Sequence, residues 1–287
     1  MRPPSKARKT KDQFIGTVTT NASNLDPLPG TRPEGARDEH ESAVRVREMF
    51  TRIAPRYDFL NHFLSLSLDK VWRRRTARSF LHILRRPEAR ILDLCCGTGD
   101  LAFALDRARA EVLDASEKRS AIIASDFVEP MLVRAGEKAR EGRHSTLFAA
   151  ADALRLPFPD STFDLVTTAF GFRNLANYEE GLREFARVLR RGGELGILEF
   201  SEPGSGPAAG LFRFYFRHIL PKIGAAISGD REAYAYLPGS VSRFPTSAAL
   251  AALMKRTGFE DVRIAHWNFG SVILHSAARR QAPVRTD

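Results

Sequence analysis

The sequence predicts an α/β fold built on a mostly parallel sheet, and three observations support this class. Short apolar runs such as "RILDL", "AIIAS" and "GELGILEF" alternate with longer amphipathic segments such as "VEPMLVRAGEKAR". This alternation is typical of right-handed βαβ units. The first run passes directly into a glycine turn, "CCGTGD". Near the C-terminus, "GFEDVRIAHWNFGSVILHSA" predicts two strands joined by the "NFG" turn, which form an antiparallel pair at the sheet edge.

The composition narrows the class of protein. The chain has 287 residues, of which 43% are hydrophobic, so one domain with a sizeable core is expected. Its two cysteines, Cys95 and Cys96, are neighbours, which argues against a disulfide framework and a zinc site. No run approaches the roughly 18 apolar residues that span a bilayer, and the basic N-terminus lacks the apolar stretch of a secretory signal. We expect a cytoplasmic protein whose net charge of +10 suits nucleic acid, an anionic membrane surface or anionic ligands.

The N-terminal part divides into an arm and a helical region. Residues 1–40 are rich in Pro, Gly, Thr and basic side chains, which predicts a disordered basic arm. From Glu41 apolar residues recur at helical spacing as far as Pro55, which ends the helix. A second helical stretch has a basic face that includes the arginines at 73–75. We assign residues 41–86 to helices that precede the sheet.

The turn after the first strand is the first candidate ligand site. In "ILDLCCGTGDLA", Gly97, Thr98 and Gly99 lead from the strand into the next helix. Glycines at this position let the backbone approach a ligand closely. An acid at the end of the second strand can accept both hydroxyls of a ribose, and Asp126 ends "AIIASD". Asp114 in "EVLDAS" is the alternative, but that run is too short and too charged for a core strand.

Two further acids bear on the kind of cofactor. Asp152 follows the third strand, where it is expected to bond an adenine amino group beside the backbone N–H of Ala153, or only to cap a turn. Asp100 starts the helix after the glycine turn, where a carboxylate repels a pyrophosphate. This charge favours S-adenosylmethionine, which has a sulfonium and no phosphate, over a dinucleotide. Cys95 and Cys96 are interpreted as small apolar residues beside the cofactor, with a reactive thiol as the alternative.

Residues 204–245 fit no βα unit. The segment "LFRFYFRHILPKIGAAISGDREAYAYLPGSVSRFP" is aromatic and partly helical. We expect it to form a cap over the carboxyl ends of the strands, where open α/β sheets bind ligands. The rest of a single domain over 41–287 then comprises a cofactor-binding core at 90–203 and a final helix with two strands at 246–277.

Several stretches of the chain match a known family. They are "VREMFTRIAPRYDFLNHFLSLSLDKVWRR" (46–74), "ILDLCCGTGDLA" (91–102), "DALRLPFPDSTFD" (152–164), "AFGFRNL" (169–175), "REFARVLRRGGELGILEFSEP" (183–203) and "YLPGSVSRFP" (236–245). In these stretches the chain resembles the class I S-adenosylmethionine-dependent methyltransferases, and more narrowly the quinone-biosynthesis C-methyltransferases. The resemblance implies a Rossmann-like fold with a seven-stranded, mostly parallel sheet, an antiparallel last strand, N-terminal helices and a helical cap insertion.

The resemblance also implies the cofactor and the residues around it. The family uses S-adenosylmethionine, and its cofactor contacts match Thr98, Asp126, Asp152 and Ala153 in this sequence. Some members have a serine before the "GFRN" segment that also touches the cofactor. This chain has Ala169 there, so that contact is lost or made by the backbone alone.

The implied reaction transfers a methyl group to a carbon of a polyprenyl quinol ring, with demethylmenaquinol as the first expectation. An ionised quinol oxygen makes the neighbouring carbon nucleophilic, and a fixed cation stabilises that oxygen. Arg173 and Asn174 in "GFRN" are the first catalytic candidates, and a structural pair between Arg173 and an acid such as Asp58 is the alternative. Tyr57 is expected either to line the substrate region or to belong to the core.

The cap is expected to supply the general base and the contact with the isoprenoid tail. His218, Asp230 and Tyr234 are the candidate bases, although a lone histidine is more often structural. The segment "LFRFYFRHIL" is expected either to line a tail groove and touch the membrane surface, or to pack as an ordinary cap helix. The arm and the arginines at 73–75 are expected to attract anionic lipid. The oligomeric state stays open, with a homodimer as one outcome.

Three other functions are weighed against this one. The nearest is the ubiquinone-pathway enzyme that methylates a polyprenyl methoxy-benzoquinol, which the sequence does not separate from the first. An RNA-binding methyltransferase needs a basic stripe with stacking aromatics; no RNA-binding accessory domain is recognisable, so we expect no nucleic-acid partner. A scaffold without catalysis is disfavoured by the intact "GTGD" and "GFRN" segments and by Asp126.

Overall fold

The structure is a computed structural model of the chain. It describes residues 28–58, 62, 65–114, 116–202, 210, 214 and 231–281, and within the last range it leaves out the side chains of 231–235 and 237.

The predicted N-terminal helices are present. Helix α1 (Glu39–Ile53) begins at Asp38, whose carboxylate accepts a hydrogen bond from a backbone N–H of the first turn at 2.8 Å. Such a cap satisfies one of the amides that lack a partner within the helix. The predicted proline stop falls in the 3₁₀ turn Ala54–Arg56. Helix α2 (Leu68–Ser79) and the short α3 (Leu81–Leu84) then lead to the sheet.

Seven strands of the described residues form one sheet. They are β1 (Ile91–Leu94), β2 (Ile122–Asp126), β3 (Leu147–Ala150), β4 (Phe163–Ala169), β5 (Leu189–Phe200), β6 (Phe259–Trp267) and β7 (Val272–Arg279). Their order in the sheet is β3-β2-β1-β4-β5-β7-β6. Strand β7 runs antiparallel to β5 and to β6, whereas the pairs among β1 to β5 are parallel. This arrangement confirms the predicted mostly parallel sheet with an antiparallel last strand, and the pair β6–β7 is the predicted edge hairpin.

Helices cover both faces of the sheet. The helices after α3 are α4 (Asp100–Ala110), α5 (Glu129–Gly142), α6 (Tyr178–Val188), α7 (Arg231–Arg243) and α8 (Ser247–Arg256). Because side chains alternate along a strand, Leu92 and Leu94 of β1 point to one face, where they join a buried cluster with the helices α6 and α8. Ile91 points to the other face and packs in a cluster with residues of α2, α3 and α4.

Two features of the N-terminal region differ from the prediction. The predicted arm extended to residue 40, but residues 28–32 lie against the domain, and Thr31 is buried with its backbone N–H bonded to the Leu175 carbonyl at 2.7 Å. The basic face predicted at 73–75 is also incomplete. Arg73 is buried and donates a hydrogen bond to Asp69, so only its two neighbours face solvent. None of the helices formed by the described residues has the length and hydrophobicity of a membrane-spanning segment.

Candidate active site

A crevice lies at the carboxyl ends of β1, β2 and β4, where the strand order reverses. Strand β1 lies between β2 and β4 in the sheet. The connections that leave β1 and β4 therefore run to opposite sides, which opens a gap between the loops that follow these two strands. The space between the crevice walls that no protein atom occupies is about 750 Å³, and part of it is open to solvent. Six predicted site residues line it: Tyr57, Gly97, Asp126, Asp152, Ala153 and Asn174.

The turn that connects β1 to α4 contains two glycines in the left-handed region. Gly97 has φ of 54° and Gly99 has φ of 88°, a region that favours glycine because it has no Cβ. Thr98 between them is buried and turns away from the crevice. Its hydroxyl donates to Asp58 and accepts from Lys138 Nζ at 3.0 Å. Gly97 therefore lines the crevice, and Thr98 and Gly99 do not.

Asp126 links the glycine turn to the next helix. Its Oδ2 accepts from the Gly97 N–H at 2.8 Å, and its Oδ1 accepts from the Val128 N–H at 2.9 Å. Burial raises the pKa of this carboxyl, and the backbone N–H groups that it accepts from oppose the rise. Each carboxylate oxygen has room for a second hydrogen bond. Asp126 is thus held by the backbone in an orientation from which it can still accept from a ligand.

Asp152 combines the two roles that the sequence left open. Its Oδ1 accepts from the Leu154 N–H at 2.9 Å, which caps the turn after β3. The same residue lines the crevice together with Ala153. The turn cap therefore fixes the carboxylate at the edge of the site.

The charge of the crevice fits a cationic ligand without a phosphate. Among the described residues that line it, Asp126 and Asp152 are the only charged ones. The buried Ser125 Oγ has no hydrogen-bond partner within the described part of the chain and also lines the crevice. Apolar walls that include Val128 and Met131 suit a purine ring. Two acids, an unpaired hydroxyl and apolar walls are what adenosine and a sulfonium require.

Asp100 does not supply the negative charge of the crevice, contrary to the prediction. The Asp100 carboxylate lies outside the crevice, where Lys138 Nζ is 2.6 Å and Arg73 Nη2 is 3.9 Å away. Its charge is largely neutralised by these two cations. The negative charge of the crevice comes instead from the acids that follow β2 and β3.

The adjacent cysteines have the properties of packing residues. Both are free thiols. Burial raises the pKa of the Cys95 and Cys96 thiols well above the usual range, and the negative charge of Asp126 adds to the rise. Because the thiolate is the nucleophile, protonated thiols at neutral pH support the interpretation as small apolar residues.

Arg173 lies behind the crevice in a buried ion pair. Its Nη1 donates to Glu199 Oε2 at 2.9 Å and also to the Phe170 carbonyl, and its backbone N–H donates to Glu199 Oε1 at 3.0 Å. The predicted alternative, a structural pair, is therefore present, but its partner is Glu199 rather than Asp58. Asp58 instead contacts Lys138 Nζ at 3.0 Å. Among the described residues, no acceptor contacts the buried Nε of Arg173.

Asn174 is the residue of the "GFRN" turn that faces the crevice. It ends the 3₁₀ turn Phe172–Asn174, and its Oδ1 accepts from the Tyr236 hydroxyl at 3.1 Å. Neither Glu199 nor Tyr236 was predicted to contribute to the site. A signal for Glu199 was present, because an acid near the end of the apolar run "GILEF" resembles the position of Asp126 after "AIIAS".

Tyr57 forms a wall of the crevice, where its ring meets Phe50 edge-on with centroids 6.0 Å apart. The predicted general bases His218 and Asp230 lie outside the described residues, and the side chain of Tyr234 does so as well. Their roles remain predictions.

Comparison with known proteins identifies close relatives. The model of the ubiE/COQ5 methyltransferase family matches residues 37–279. The demethylmenaquinone methyltransferase of Deinococcus radiodurans is 48% identical over 77% of this chain and 88% of the relative. That of Thermus thermophilus is 46% identical over 80% of this chain and 100% of the relative. A ubiquinone/menaquinone biosynthesis C-methyltransferase of Geobacter sulfurreducens is 39% identical over 83% and 90% of the two chains.

Solved structures with lower identity support the fold alone. A methyltransferase from Thermotoga maritima, described as a possible histamine N-methyltransferase, is 16% identical with a TM-score of 0.54 over 81% of this chain and 99% of that one. The cyclase SpnF is 17% identical with a TM-score of 0.59 over 90% and 100% of the two chains. These matches confirm the predicted class I methyltransferase fold. Because a cyclase shares the fold, the fold itself does not decide the reaction.

Proposed function

The chain belongs to the ubiE/COQ5 methyltransferase family, and we propose that it methylates a ring carbon of demethylmenaquinol with S-adenosylmethionine as the methyl donor. One observation carries the choice of substrate. The two relatives that are 48% and 46% identical, over most of both chains, are demethylmenaquinone methyltransferases. As a member of this family, the chain is an S-adenosylmethionine-dependent C-methyltransferase.

The acidic half of the crevice is proposed to hold the cofactor. Asp126 accepts from the ribose hydroxyls, since both its oxygens are already fixed by backbone N–H groups. Asp152 accepts from the adenine amino group, and the Ala153 N–H donates to the ring. The left-handed Gly97 lets the backbone pass close to the ligand. When bound, S-adenosylmethionine supplies an electrophilic methyl group on a sulfonium.

The quinol ring is proposed to bind beside Phe170 and Asn174, which follow β4, with Tyr57 next to the glycine turn as a further wall. The two aromatic side chains exclude water, which strengthens the electrostatic contacts made there. Nδ2 of Asn174 donates to the quinol oxygen and favours its ionised form. The ion pair between Arg173 and Glu199 holds this turn in place from behind the crevice. Since Glu199 neutralises the guanidinium, we assign Arg173 this structural role and no direct charge contact with the substrate.

The name of the Geobacter relative includes ubiquinone as well as menaquinone biosynthesis. A benzoquinol substrate is therefore our second candidate. RNA is disfavoured, since the described residues that line the crevice include neither lysine nor arginine.

The test is methyl transfer from labelled S-adenosylmethionine by the purified full-length chain. Demethylmenaquinol and the demethylated methoxy-benzoquinol, with equal isoprenoid tails, are supplied separately and then in competition. We expect label in the naphthoquinol ring and a higher kcat/KM for it than for the benzoquinol. Labelling of the benzoquinol alone would show that the benzoquinol, not demethylmenaquinol, is the substrate. Labelling of neither quinol would reject both substrates.

Membrane contact is proposed at a surface beside α2, which we call the α2 surface. Leu66 is 79% exposed, Val71 is 48% exposed and Phe269 of the β6–β7 turn is 77% exposed. The turn lies next to α2, because Trp72 Nε1 donates to Asn268 Oδ1 at 3.2 Å.

Cations complete the α2 surface. Lys70, Arg74 and Arg75 are exposed on the same helix, and Arg75 lies 5.9 Å from the centre of the Trp267 ring. Exposed apolar side chains mixed with cations suit an anionic bilayer surface, in which a polyprenyl tail resides.

Flotation with vesicles tests this surface. The wild-type chain is expected to bind vesicles that contain phosphatidylglycerol and to bind neutral phosphatidylcholine vesicles weakly. Serine at Leu66 and Phe269 together is expected to abolish flotation. Val133→Ser serves as the control, because Val133 is also an exposed apolar residue but lies on α5, outside the α2 surface. Equal flotation of all variants would reject the surface.

A further inference from the structure

A short N-terminal segment lies against the rim of the crevice. We call residues 28–32 the N-terminal strap; it precedes residue 37, where the family match begins. The Thr31 N–H donates to the Leu175 carbonyl at 2.7 Å, and Arg32 Nη1 donates to the Ala176 carbonyl at 2.7 Å. Leu175 and Ala176 both line the crevice. The strap is therefore bonded to the backbone that forms one wall of the site.

The strap fits closely enough to require a glycine. A Cβ placed on Gly30 would lie 2.1 Å from the backbone carbon and oxygen of Ala176. Backbone atoms cannot move aside as the end of a flexible side chain can. Any larger residue at this position must displace the strap from the rim.

A chain of hydroxyl groups runs from the strap to Asn174. The Tyr236 hydroxyl donates to Asn174 Oδ1 at 3.1 Å and lies 2.9 Å from the Thr31 hydroxyl. A tyrosine hydroxyl has one proton. Since that proton is given to Asn174, the Thr31 hydroxyl must donate to Tyr236. The direction of both hydrogen bonds is therefore fixed, from Thr31 through Tyr236 to the amide.

This direction determines which part of the Asn174 amide is available to a ligand. Because Oδ1 accepts from Tyr236, the Nδ2 group with its two donors is left for the crevice. Thr31 is buried, so water does not compete readily for its hydroxyl. Tyr236 is half-buried, and burial raises the pKa of its phenol, which keeps the proton on the oxygen.

We propose that Thr31 and Tyr236 are positioning residues that fix the Asn174 amide as a hydrogen-bond donor to the substrate oxygen. This inference rests on the proposed function, because it assigns Asn174 to the quinol end of the crevice. It adds that a segment outside the family match takes part in the orientation of the substrate. Thr31 and Tyr236 act through Asn174 and do not themselves contact the reacting atoms.

Substitutions of the hydroxyl groups test the proposal kinetically. Thr31→Val and Tyr236→Phe remove one link each, and we expect each to lower kcat by about tenfold, as for the loss of one well-aligned hydrogen bond. The KM for S-adenosylmethionine is expected to stay unchanged. Thr31→Ser restores the hydroxyl and should restore kcat. The kcat of the double variant should be no lower than that of Tyr236→Phe alone, since both residues act through the same series of hydrogen bonds.

The matched control is Thr257→Val. Thr257 is also buried, and its hydroxyl donates to the Leu253 carbonyl at 2.9 Å at the end of α8. It should lose stability as Thr31→Val does but keep its kcat. If Thr31→Val lowers only the melting temperature, or if Thr31→Ser does not restore kcat, the strap is structural and the proposal is wrong.

A second readout separates this proposal from the proposed function. The side-chain amide signals of Asn174 are recorded by ¹H–¹⁵N NMR in the full chain saturated with S-adenosylhomocysteine, without any quinol. Thr31→Val and Gly30→Ala should shift or broaden these signals, and Thr257→Val should not. Unchanged signals would overturn the positioning role even if the quinol is methylated. Shifted signals without quinol turnover would support the role of Thr31 and Tyr236 in orienting the amide and would reject only the proposed substrate.

Discussion

Arg173 and Glu199 form a buried ion pair, 2.9 Å between Nη1 and Oε2, directly behind the turn that presents Asn174 to the crevice. Glu199 also accepts from the Arg173 backbone N–H, so one carboxylate holds both the side chain and the backbone of that turn. The turn is further tied by the Tyr178 hydroxyl, which donates to the Arg173 carbonyl at 3.0 Å.

The first prediction concerns this pair. Arg173→Ala leaves the Glu199 carboxylate buried without its cation, and the loss of one partner of a buried pair costs about 3–5 kcal/mol. Urea unfolding should show this loss and show a smaller one for the double variant Arg173→Met with Glu199→Met, which leaves no charge. Arg173→Lys should recover part of the stability. Additive losses in the double variant would mean that the two residues do not depend on each other.

The second prediction concerns the ribose contact. Asp126→Asn should weaken S-adenosylmethionine binding by at least about tenfold, because an amide replaces a charged acceptor with one acceptor and one donor. Asp152→Asn should weaken it less, since part of the Asp152 carboxylate already caps a turn. Isothermal titration measures both. Asp114→Asn, in the exposed loop that follows α4, is the control, and an equal effect there would contradict the assignment.

The sequence could place Asp126, rather than Asp114, at the end of the second strand because the length of an apolar run indicates a buried strand. The run before Asp126 became β2, whereas Asp114 lies in a loop and accepts from Ser116. The cofactor was also predicted correctly, although the charge argument relied on Asp100. No local pattern reveals that Asp100 meets Lys138, which lies 38 residues further along the chain.

The partners of the "GFRN" turn show the same limit. Arg173 was placed at the site from its position after β4, but its partner Glu199 comes from β5, and only the pairing of these strands brings the two together. The strap was assigned to a disordered arm because its composition is polar and rich in proline and glycine. One of those glycines is what permits its contact with Ala176. Composition alone does not separate a flexible glycine from one required by close packing.

The third prediction concerns pH. Burial in the middle of β1 raises the pKa of Asp93 from 3.8 to about 7, against the hydrogen bond that it accepts from Thr167 at 2.8 Å. The folded state therefore holds a proton that the unfolded state has lost. The stability contributed by this group is present below the unfolded pKa, is lost as pH rises toward the folded pKa, and is then constant.

Asp93→Asn tests this dependence because an amide does not titrate. The stability of the variant relative to wild type should rise between about pH 4 and about pH 7 and level off above that. Urea unfolding across this range gives the difference, with Asp114→Asn as the exposed control. A difference that does not vary with pH would show that Asp93 keeps an ordinary pKa.

The fourth prediction concerns the contact between Asp58, in the segment that follows α1, and the glycine turn. Lys138 Nζ lies 3.0 Å from Asp58 Oδ2, 3.0 Å from Thr98 Oγ1 and 2.6 Å from Asp100 Oδ1. Lys138→Met leaves the two carboxylates without this cation and should cost about 1–3 kcal/mol. The loss should appear in urea unfolding, together with weaker binding of S-adenosylmethionine. Lys118→Met, at an exposed loop position, should change neither quantity.

The most direct test of the site is a crystal structure of the full chain with S-adenosylhomocysteine and the demethylated naphthoquinol. We predict the ribose hydroxyls on Asp126, the adenine amino group on Asp152 and a quinol oxygen within hydrogen-bond distance of Asn174 Nδ2. A cofactor bound outside this crevice, or a quinol ring at the opposite end from Asn174, would contradict the account.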